Sequence, residues 1–463
     1  MSGEQFRRED ALFGQLRAER EVAWLPKAFV APREVAALGG MRSVAIIGAG
    51  GSGKSALRQW LEAEVNPPGQ PPRILVATWR PTFPHTPLAG SRAANAWVAQ
   101  ALDVCMAALL DYLAHYPQTL RSNANWVTAT VQWLIHQHLS DMAGNRELLL
   151  DRLSEGADPA GAALLRELLI GEPPTVFRPD TPAPRLIAAL TDVVRRLKLA
   201  GIWVMVDGLE HLVDEDAVLA ETMVSALLAT LGVFEEQQFA VKLFAPHELA
   251  HPITTSSAVS RRRIDRYWLR WSVPELMALL ERRIALLLDR PTFTMAALYA
   301  PHEVAATFAC YGGLLPREWL LLARAFVRAY LDQGAQHCLT TEQWVQIWRT
   351  NPPPLRVDLQ DHRAFIGQGE IKQIPGTAQR LLEYLYRHRD QLCTRSELYF
   401  CGMLGLDAVP RVKGDPGYAA PDEWENLINT SLWRLRNLVE RDPSMPIYIV
   451  TRRGKGITLE HTI

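Results

Sequence analysis

The stretch that decides the fold is VAIIGAGGSGKSAL, from Val44 to Leu57. Its first four residues form a short apolar run, which is typical of a buried parallel strand. The residues from Gly48 to Ser55 match the pattern G-x-x-x-x-G-K-[S/T] without a departure, and a helix-forming sequence follows. This order of strand, glycine-rich loop and helix favours anion binding, because backbone N–H groups and the positive end of the helix converge at the loop.

The anion that suits this pattern is the phosphate chain of a nucleotide. Lys54 is placed to reach the β- and γ-phosphates, and the hydroxyl of Ser55 is placed to hold Mg²⁺. A glycine-rich turn between a strand and a helix, without a ligand, is the alternative interpretation. The predicted nucleotide contacts of the loop are Gly48, Gly50, Gly51, Ser52, Gly53, Lys54, Ser55 and Ala56.

A second apolar strand, Ile202–Val206, ends in Asp207 about 150 residues after the loop, in the segment VMVDGLE. We expect this strand to lie beside the loop strand, where an acid at its tip holds Mg²⁺ through water. Glu210 is the candidate for activating the attacking water. Lys54, Asp207 and Glu210 are thus the candidate catalytic residues, with Ser55 and Asp207 as Mg²⁺ ligands. An ordinary strand end followed by a turn is the alternative.

The composition of the chain excludes few kinds of partner, but it indicates the cellular compartment. The chain has 463 residues, of which 48% are hydrophobic, and its net charge of −1 favours no particular partner. Its five cysteines are scattered and form no C-x-x-C pair, which is typical of a reducing cytosol. The N-terminus is charged, and no run of about 18 apolar residues occurs. We therefore expect a cytoplasmic protein without a membrane span.

Further strands are predicted at Arg73–Trp79, Phe239–Glu248 and Tyr267–Ser272, and helical sequences lie between them. This alternation predicts an α/β fold with a parallel sheet. The prolines of RTNPPPLRV mark a boundary before a smaller C-terminal domain. The predicted domains are a lead-in at 1–40, a nucleotide-binding core at 41–285 with a helical insert at about 85–185, a helical lid at 286–350 and the C-terminal domain at 355–463.

Residues from about 40 to 330 resemble AAA+/STAND P-loop ATPases. Four segments carry the resemblance: the glycine-rich loop, VMVDGLE, WSVPELMALLERRI and YGGLLPREWLLLARAF. The resemblance implies ATP and Mg²⁺ as ligands under a helical lid, with Pro316 near the base and Arg317 near the γ-phosphate. An ordinary arginine at the start of a helix or on the surface is the alternative for Arg317. Gly208 stands where many AAA+ proteins carry a glutamate, so hydrolysis either depends on Glu210 or is slow. Arg261, Arg262 and Arg263 occupy the region of an arginine finger; a solvated basic loop is the alternative.

The C-terminal domain reads as an α+β unit. LRVDLQDHRAFIGQGEIKQI predicts a small antiparallel sheet that turns at GQG, and Thr394 with Glu397 predicts a capping box. IYIVTRRGKGITLEH predicts two strands around a basic turn. The helix before them is expected to direct five residues towards a core: Leu427, Ile428, Leu432, Leu435 and Val439.

This domain resembles the winged helix-turn-helix domain of OmpR/PhoB-type regulators, most clearly in LWRLRNLVERDP and IYIVTRRGKGITL. The resemblance implies that the third helix enters the major groove of DNA and that the wing meets phosphate. The implied DNA contacts are Asn429, Thr430, Trp433, Arg434, Asn437, Arg452, Arg453 and Lys455. However, the domain carries 15 Lys and Arg against 14 Asp and Glu, and Asp422, Glu423 and Glu425 open the helix. A protein-interaction or autoinhibitory module is therefore the alternative.

Together these features predict a STAND-like molecular switch that binds and hydrolyses ATP and that regulates transcription through a DNA-binding winged helix. The predicted partners are ATP or ADP and duplex DNA. A second copy of the chain or another protein is a further candidate partner. One alternative is a signalling ATPase of a bacterial defence system, in which the winged helix contacts protein. Another is an AAA+ ATPase of DNA transactions.

Overall fold

The computed structural model describes residues 10–14, 21, 24–32, 35–83, 91–139, 146–155, 157–172, 174–178, 180–234, 238–389, 391–410 and 423–462. The chain divides into two compact units. The first unit, here the nucleotide unit, comprises residues 17–271, and the second, here the C-terminal unit, comprises residues 1–16 and 272–463.

The nucleotide unit is built on a five-stranded sheet in which every pairing is parallel. Its strands are β1 (Val44–Gly48), β2 (Leu75–Trp79), β3 (Ile202–Val206), β4 (Phe239–Pro246) and β5 (Asp265–Trp268). The order across the sheet is β2-β3-β4-β1-β5. Every residue of β1, β3 and β4 is buried, as expected for central strands covered on both faces. The prediction of a parallel α/β sheet is confirmed, and the unit fits an α/β P-loop nucleotide-binding fold.

Two details of the sheet differ from the prediction. Strand β3 does not lie beside the loop strand, because β4 pairs with both of them and separates them. The fifth strand is also shorter and begins earlier than predicted. It ends at Trp268. Beyond it, Trp271 donates a hydrogen bond to the carbonyl oxygen of Ser52 in the glycine-rich loop after β1, and Ser272 caps the next helix.

Helices connect these strands and form the insert between β2 and β3. They are α1 (Leu25–Ala28), α2 (Lys54–Val65), α3 (Ser91–His115), α4 (Pro117–Arg121), α5 (Asn125–His138), α6 (Arg146–Ser154), α7 (Pro159–Ile170), α8 (Ala183–Arg196), α9 (Glu210–Glu215), α10 (Ala217–Thr230), α11 (Ala250–Thr255) and α12 (Ser257–Ser260). Short 3₁₀ turns occur at Val35–Gly39, Leu231–Phe234 and His247–Leu249. The insert shares one apolar core with the sheet, and Trp97 of α3 packs on Trp79 of β2 with ring centroids 5.5 Å apart.

One helical stretch among the described residues, Ala96–His115, is long and apolar enough to cross a membrane. Its residues Leu102, Leu109 and Leu113 are buried in the core of the nucleotide unit. The apolar composition of this stretch therefore serves the packing of a core helix.

The lead-in to β1 is held by a buried lysine on the neighbouring strand. The ammonium of Lys242 donates hydrogen bonds to the carbonyl oxygens of Leu38, Gly40 and Arg42 at 2.7–2.8 Å. The same group lies 4.8 Å from the centre of the Trp203 ring. These contacts satisfy all three donors of the ammonium, and they attach the turn before β1 to the sheet.

The C-terminal unit begins with a helical region and ends with two small sheets. Its helices are α13 (Val273–Leu288), α14 (Pro301–Gly312), α15 (Pro316–Asp332), α16 (Thr341–Thr350), α17 (Gly376–Arg387), α18 (Arg395–Glu397) and α19 (Trp424–Val439), with single turns at Asp10–Gly14, Met295–Ala297 and Leu398–Met403. Strands β6 (Leu355–Asp358), β7 (Arg363–Ile366) and β8 (Gly369–Glu370) form an antiparallel sheet, and β9 (Ile449–Arg452) and β10 (Gly456–Leu459) form a hairpin.

Several local predictions for this unit are confirmed. Thr394 and Glu397 form a reciprocal capping box, and GQG joins β7 to β8. Helix α19 buries Ile428, Leu432, Leu435 and Val439, but Leu427 is 47% exposed, so its predicted place in the core is wrong. Adjacent residues on a helix are rotated by about 100°, and the rotation from Ile428 carries Leu427 away from the buried stripe.

Candidate nucleotide site and candidate nucleic-acid interface

The backbone of the loop after β1 requires glycine at three of its four glycine positions. Gly51 and Gly53 have φ values of 79° and 89°, which side chains disfavour. At Gly48 an added Cβ would lie 2.6 Å from Oγ of Ser52. Gly50, by contrast, has neither a positive φ nor a described atom within 4 Å of an added Cβ. The loop thus has the tight, side-chain-free form that lets a phosphate approach the backbone.

Lys54 begins α2, and its ammonium lies inside the loop. It donates hydrogen bonds to the carbonyl oxygens of Gly48 at 2.7 Å and Ala49 at 3.0 Å, and it pairs with Oε1 of Glu210 at 2.8 Å. The lysine side chain is buried, whereas that of Glu210 is 39% exposed. The two predicted catalytic groups are therefore in direct contact, and the ammonium is held where phosphate oxygens would replace its present acceptors.

Asp207 lies at the carboxyl end of β3 and is 1% exposed. Its Oδ1 accepts hydrogen bonds from the hydroxyl of Ser55 at 3.2 Å and from the backbone N–H of Gly208 at 2.9 Å. Gly208 has a φ of 82°, so the turn that follows the aspartate depends on glycine. The structure brings Ser55 of α2 and Asp207 together even though β4 separates β3 from β1, the strand that precedes the loop and α2.

Arg58 is a member of this cluster that the sequence analysis missed. It is 6% exposed, and its Nε donates to Oδ2 of Asp207 at 2.9 Å. Its terminal nitrogen reaches Oγ1 of Thr78 at 3.2 Å and Oε2 of Glu62 at 3.5 Å. Burial raises the pKa of Glu62, and the nearby Arg58 opposes that rise. The available signal was its spacing, because a residue four positions after Lys54 lies on the same face of α2.

An aromatic group beside the loop was also missed. The indole N–H of Trp271 donates to the carbonyl oxygen of Ser52 at 2.8 Å, and the hydrogen bond is buried. Phe29 packs edge-on against Trp271 and stacks on Trp60, with ring centroids 6.3 and 5.5 Å apart. These rings support the outer side of the loop, and they come from segments far apart in the sequence.

The residues present fit a magnesium nucleotide. The first turn of α2 has backbone N–H groups at Lys54, Ser55 and Ala56 without intrahelical acceptors, which suits an anion. Ser55 and Asp207 offer the oxygen ligands that Mg²⁺ prefers. Oγ of Ser52 is buried and has no hydrogen-bond partner among the described residues. This hydroxyl is therefore available to form a hydrogen bond with a ligand in the loop.

The remaining residues predicted for the ATPase are placed as follows. Pro316 is buried as the first residue of α15, and Arg317 beside it is exposed; both belong to the C-terminal unit. Arg261 and Arg262 are exposed, and Arg263 is half-buried. The roles proposed for these residues at the nucleotide stay predictions.

The predicted DNA-contacting side chains of α19 share one exposed face: Asn429, Thr430, Trp433, Arg434 and Asn437. Trp433 is 62% exposed, an unusual position for an indole. The face also carries the exposed side chains of Leu427 and Leu438. Arg434 has no ion pair with any residue that the structure describes. The face is therefore largely neutral, with apolar groups at its margins.

The hairpin of β9 and β10 carries the other predicted contacts. Arg453 and Lys455 are exposed in its turn, whereas Arg452 pairs with Glu460 at 2.7 Å. Arg436, which was not predicted, donates to the carbonyl oxygen of Ile449 at 2.8 Å. This bond attaches α19 to the hairpin.

Comparisons with known proteins give partial matches. No family model matches the chain. The chain is 32% identical over 140 residues to the sensory transduction protein RegX3 of Mycolicibacterium smegmatis, covering 30% of this chain and 53% of that protein. It is 32% identical over 107 residues to RegX3 of Mycobacterium leprae, covering 23% and 46%. The chain thus spans about half the length of the curated relatives that it matches.

Among solved structures, the chain is similar to the Orc1 protein of Aeropyrum pernix in complex with DNA. The match covers 98% of this chain and 94% of that chain, with 14% sequence identity and a TM-score of 0.32.

Proposed function

We propose that this protein is a STAND-like ATPase switch that binds ATP with Mg²⁺ at the glycine-rich loop between β1 and α2 and regulates DNA binding by its C-terminal unit. The observation that carries the proposal is the cluster of Lys54, Ser55, Asp207 and Glu210. These residues come from segments about 150 positions apart, and they meet around a loop whose backbone leaves room for phosphate.

The chain's own groups suggest how the switch responds to phosphate. Lys54 exchanges the neutral carbonyl oxygens of the loop for charged phosphate oxygens, which form stronger hydrogen bonds, and turns from the carboxylate of Glu210 to the phosphate chain. Glu210 is thereby released from its ion pair and becomes available to orient a water molecule. Ser55 and Asp207 are the residues that would hold a Mg²⁺ ion bound with the phosphate chain. Bound Mg²⁺ would neutralise charge that develops on the phosphate oxygens.

The proposed output is a winged-helix domain, formed by α17, α18, α19 and the hairpin of β9 and β10. Its support is the order of the elements, the exposed polar face of α19 and the two exposed cations of the hairpin turn. The partial similarity to a sensory transduction protein agrees with a regulatory role. Nucleotide acts on this domain only if it binds the two states of the protein with different affinities.

A second candidate function is favoured by the surface of α19. Leu427, Trp433 and Leu438 are exposed there, and Arg434 is the one cation among the eight exposed residues from Asn426 to Leu438. Exposed apolar side chains near an aromatic residue are typical of protein interfaces. In this alternative, the winged helix of a signalling ATPase contacts a protein.

Replacement of Lys54 by alanine tests the nucleotide proposal. The variant loses a charge-assisted contact to phosphate, and we expect its affinity for ATP to fall by a factor of about 10–100. Isothermal titration of the full chain measures the affinity, and Lys372→Ala, an exposed lysine of the C-terminal unit, is the control. An unchanged affinity in a folded Lys54→Ala protein would contradict the proposal.

The regulatory part has its own test. The affinity of the full chain for a labelled duplex is measured with ATP, with ADP and without nucleotide, in wild type and Lys54→Ala. We expect a dependence on nucleotide that the variant lacks. Equal affinities in all states of the wild-type protein would refute regulation of DNA binding, and an absence of duplex binding at low salt would favour the protein-contact alternative.

A further inference from the structure

Arg58 joins the predicted magnesium carboxylate to the sheet and to its own helix. Its guanidinium contacts Oδ2 of Asp207, Oγ1 of Thr78 and Oε2 of Glu62. The G-x-x-x-x-G-K-[S/T] pattern of nucleotide binding includes none of these contacts. Arg58 lies outside that pattern in sequence, and its side chain is almost entirely buried.

The two oxygens of Asp207 are used differently. Oδ2 is directed to Arg58, whereas Oδ1 accepts from Ser55 and from the backbone of Gly208. Because Arg58 occupies Oδ2, the carboxylate cannot rotate without breaking a charged hydrogen bond inside the protein. Oδ1 is consequently held towards Ser55, the other predicted ligand of the metal.

The charge of Arg58 also matters, because Asp207 is buried. A carboxylate removed from water needs a compensating charge, and the loss of one partner of a buried pair leaves the other charge uncompensated. Lys54, also a cation of the cluster, pairs with Glu210. Arg58 donates to Asp207 directly and so supplies a positive charge beside the buried carboxylate when no metal is bound.

We propose that Arg58 is a positioning residue of the magnesium site, which orients Asp207 and supplies its counter-charge before the metal arrives. This inference rests on the proposed nucleotide function. It predicts that removal of the guanidinium makes the fold of the site depend on the metal, because a dication beside Oδ1 then provides the missing positive charge.

The experiment compares thermal unfolding of the full chain in four solutions: buffer with EDTA, Mg²⁺ alone, ADP with EDTA, and ADP with Mg²⁺. The variants are Arg58→Gln and Arg58→Lys, with Glu62→Gln as the matched control. Glu62 touches the same guanidinium from the half-exposed side without contacting Asp207. The observable is the increase in Tm that Mg²⁺ adds in the presence of ADP.

For Arg58→Gln we expect the Tm in EDTA to fall by on the order of 10 °C, because a buried ion pair is broken. Mg²⁺ with ADP is expected to recover at least half of this loss. The increase in Tm that Mg²⁺ adds in the presence of ADP should therefore be larger in Arg58→Gln than in the wild type. Arg58→Lys keeps the charge and should lie between the two. Glu62→Gln should show the increment of the wild type.

Equal losses of Tm in all four solutions would overturn the proposal, because they would show a purely structural role. If Arg58→Gln does not fold even with ADP and Mg²⁺, an increment in Arg58→Lys no larger than in the wild type would overturn it. An absence of any ADP shift in the wild type would contradict the nucleotide function itself and this inference with it. A wild-type ADP shift with unaltered increments in the variants would refute only the role of Arg58.

Discussion

Salt dependence provides a sharp test of the proposed DNA-binding surface, because the structure distinguishes its cations. Arg434, Arg453 and Lys455 are exposed and have no ion pair with a described residue, whereas Arg452 is paired with Glu460 at 2.7 Å. If the three unpaired cations each meet one phosphate, the slope of log K against log [salt] is about −2.7. The affinity should then fall by a factor of about 40 between 50 and 200 mM salt.

The perturbation is the double replacement of Arg434 and Arg453 by alanine. One phosphate contact then remains, which predicts a slope of about −0.9 and a loss of affinity of only about 3.5-fold over the same salt range. The assay is fluorescence anisotropy of a labelled duplex of random sequence, titrated with the full chain at four salt concentrations. Both side chains are exposed, so folding should not change, which unfolding in urea verifies.

Glu460→Gln is the matched control, since it releases Arg452 from its ion pair without removing a cation. We expect this variant to bind more tightly at low salt and to steepen the slope by about 0.9. A slope that is the same in the wild type and in the double variant would refute the reasoning, because it would place the phosphate contacts elsewhere on the molecule.

Other predictions concern the nucleotide unit. Glu210→Gln should bind ATP with near wild-type affinity but hydrolyse it at least tenfold more slowly, and turnover at the wild-type rate would exclude it as the group that orients water. Gly53→Ala should lower the free energy of unfolding without nucleotide by about 1–2 kcal/mol, because its φ is positive, whereas Gly50→Ala should change it by less than about 0.5 kcal/mol, as urea denaturation measures. Burial lowers the pKa of Lys242 to about 8, below its unfolded value, so the unfolded chain binds more protons between about pH 8 and 10.5. Stability should therefore rise across that range by roughly 2–4 kcal/mol more in the wild type than in Lys242→Met, and equal slopes in urea denaturation would contradict this.

The features that the sequence predicted well are those that depend on neighbouring residues. The phosphate loop, the capping box of Thr394 and Glu397 and the basic hairpin turn are each specified within a few positions. Their backbone conformation follows from glycines, caps and short-range hydrogen bonds. The buried strand before Asp207 was predicted with its correct bounds, because a short apolar run that ends at a charged residue is typical of a central parallel strand.

The sequence did not indicate how these segments combine. Strand β4 lies between β1 and β3, since the order of parallel strands depends on crossover connections and not on local pattern. The exposure of Leu427 depends on how α19 is rotated against the core. The ion pair of Arg452 depends on Glu460, which lies on the far side of the hairpin turn in the sequence.

From the sequence alone, the glycine-rich loop, its suitability for an anion and the class of the fold could be inferred. Which charged side chains meet beside that loop depends on the tertiary structure. Arg58 meets Asp207 across 149 positions, and Lys54 meets Glu210. Charges buried in one cluster must compensate each other, and which ones do so depends on the place of β3 within the sheet and on the packing of α2 against it, which local sequence does not encode.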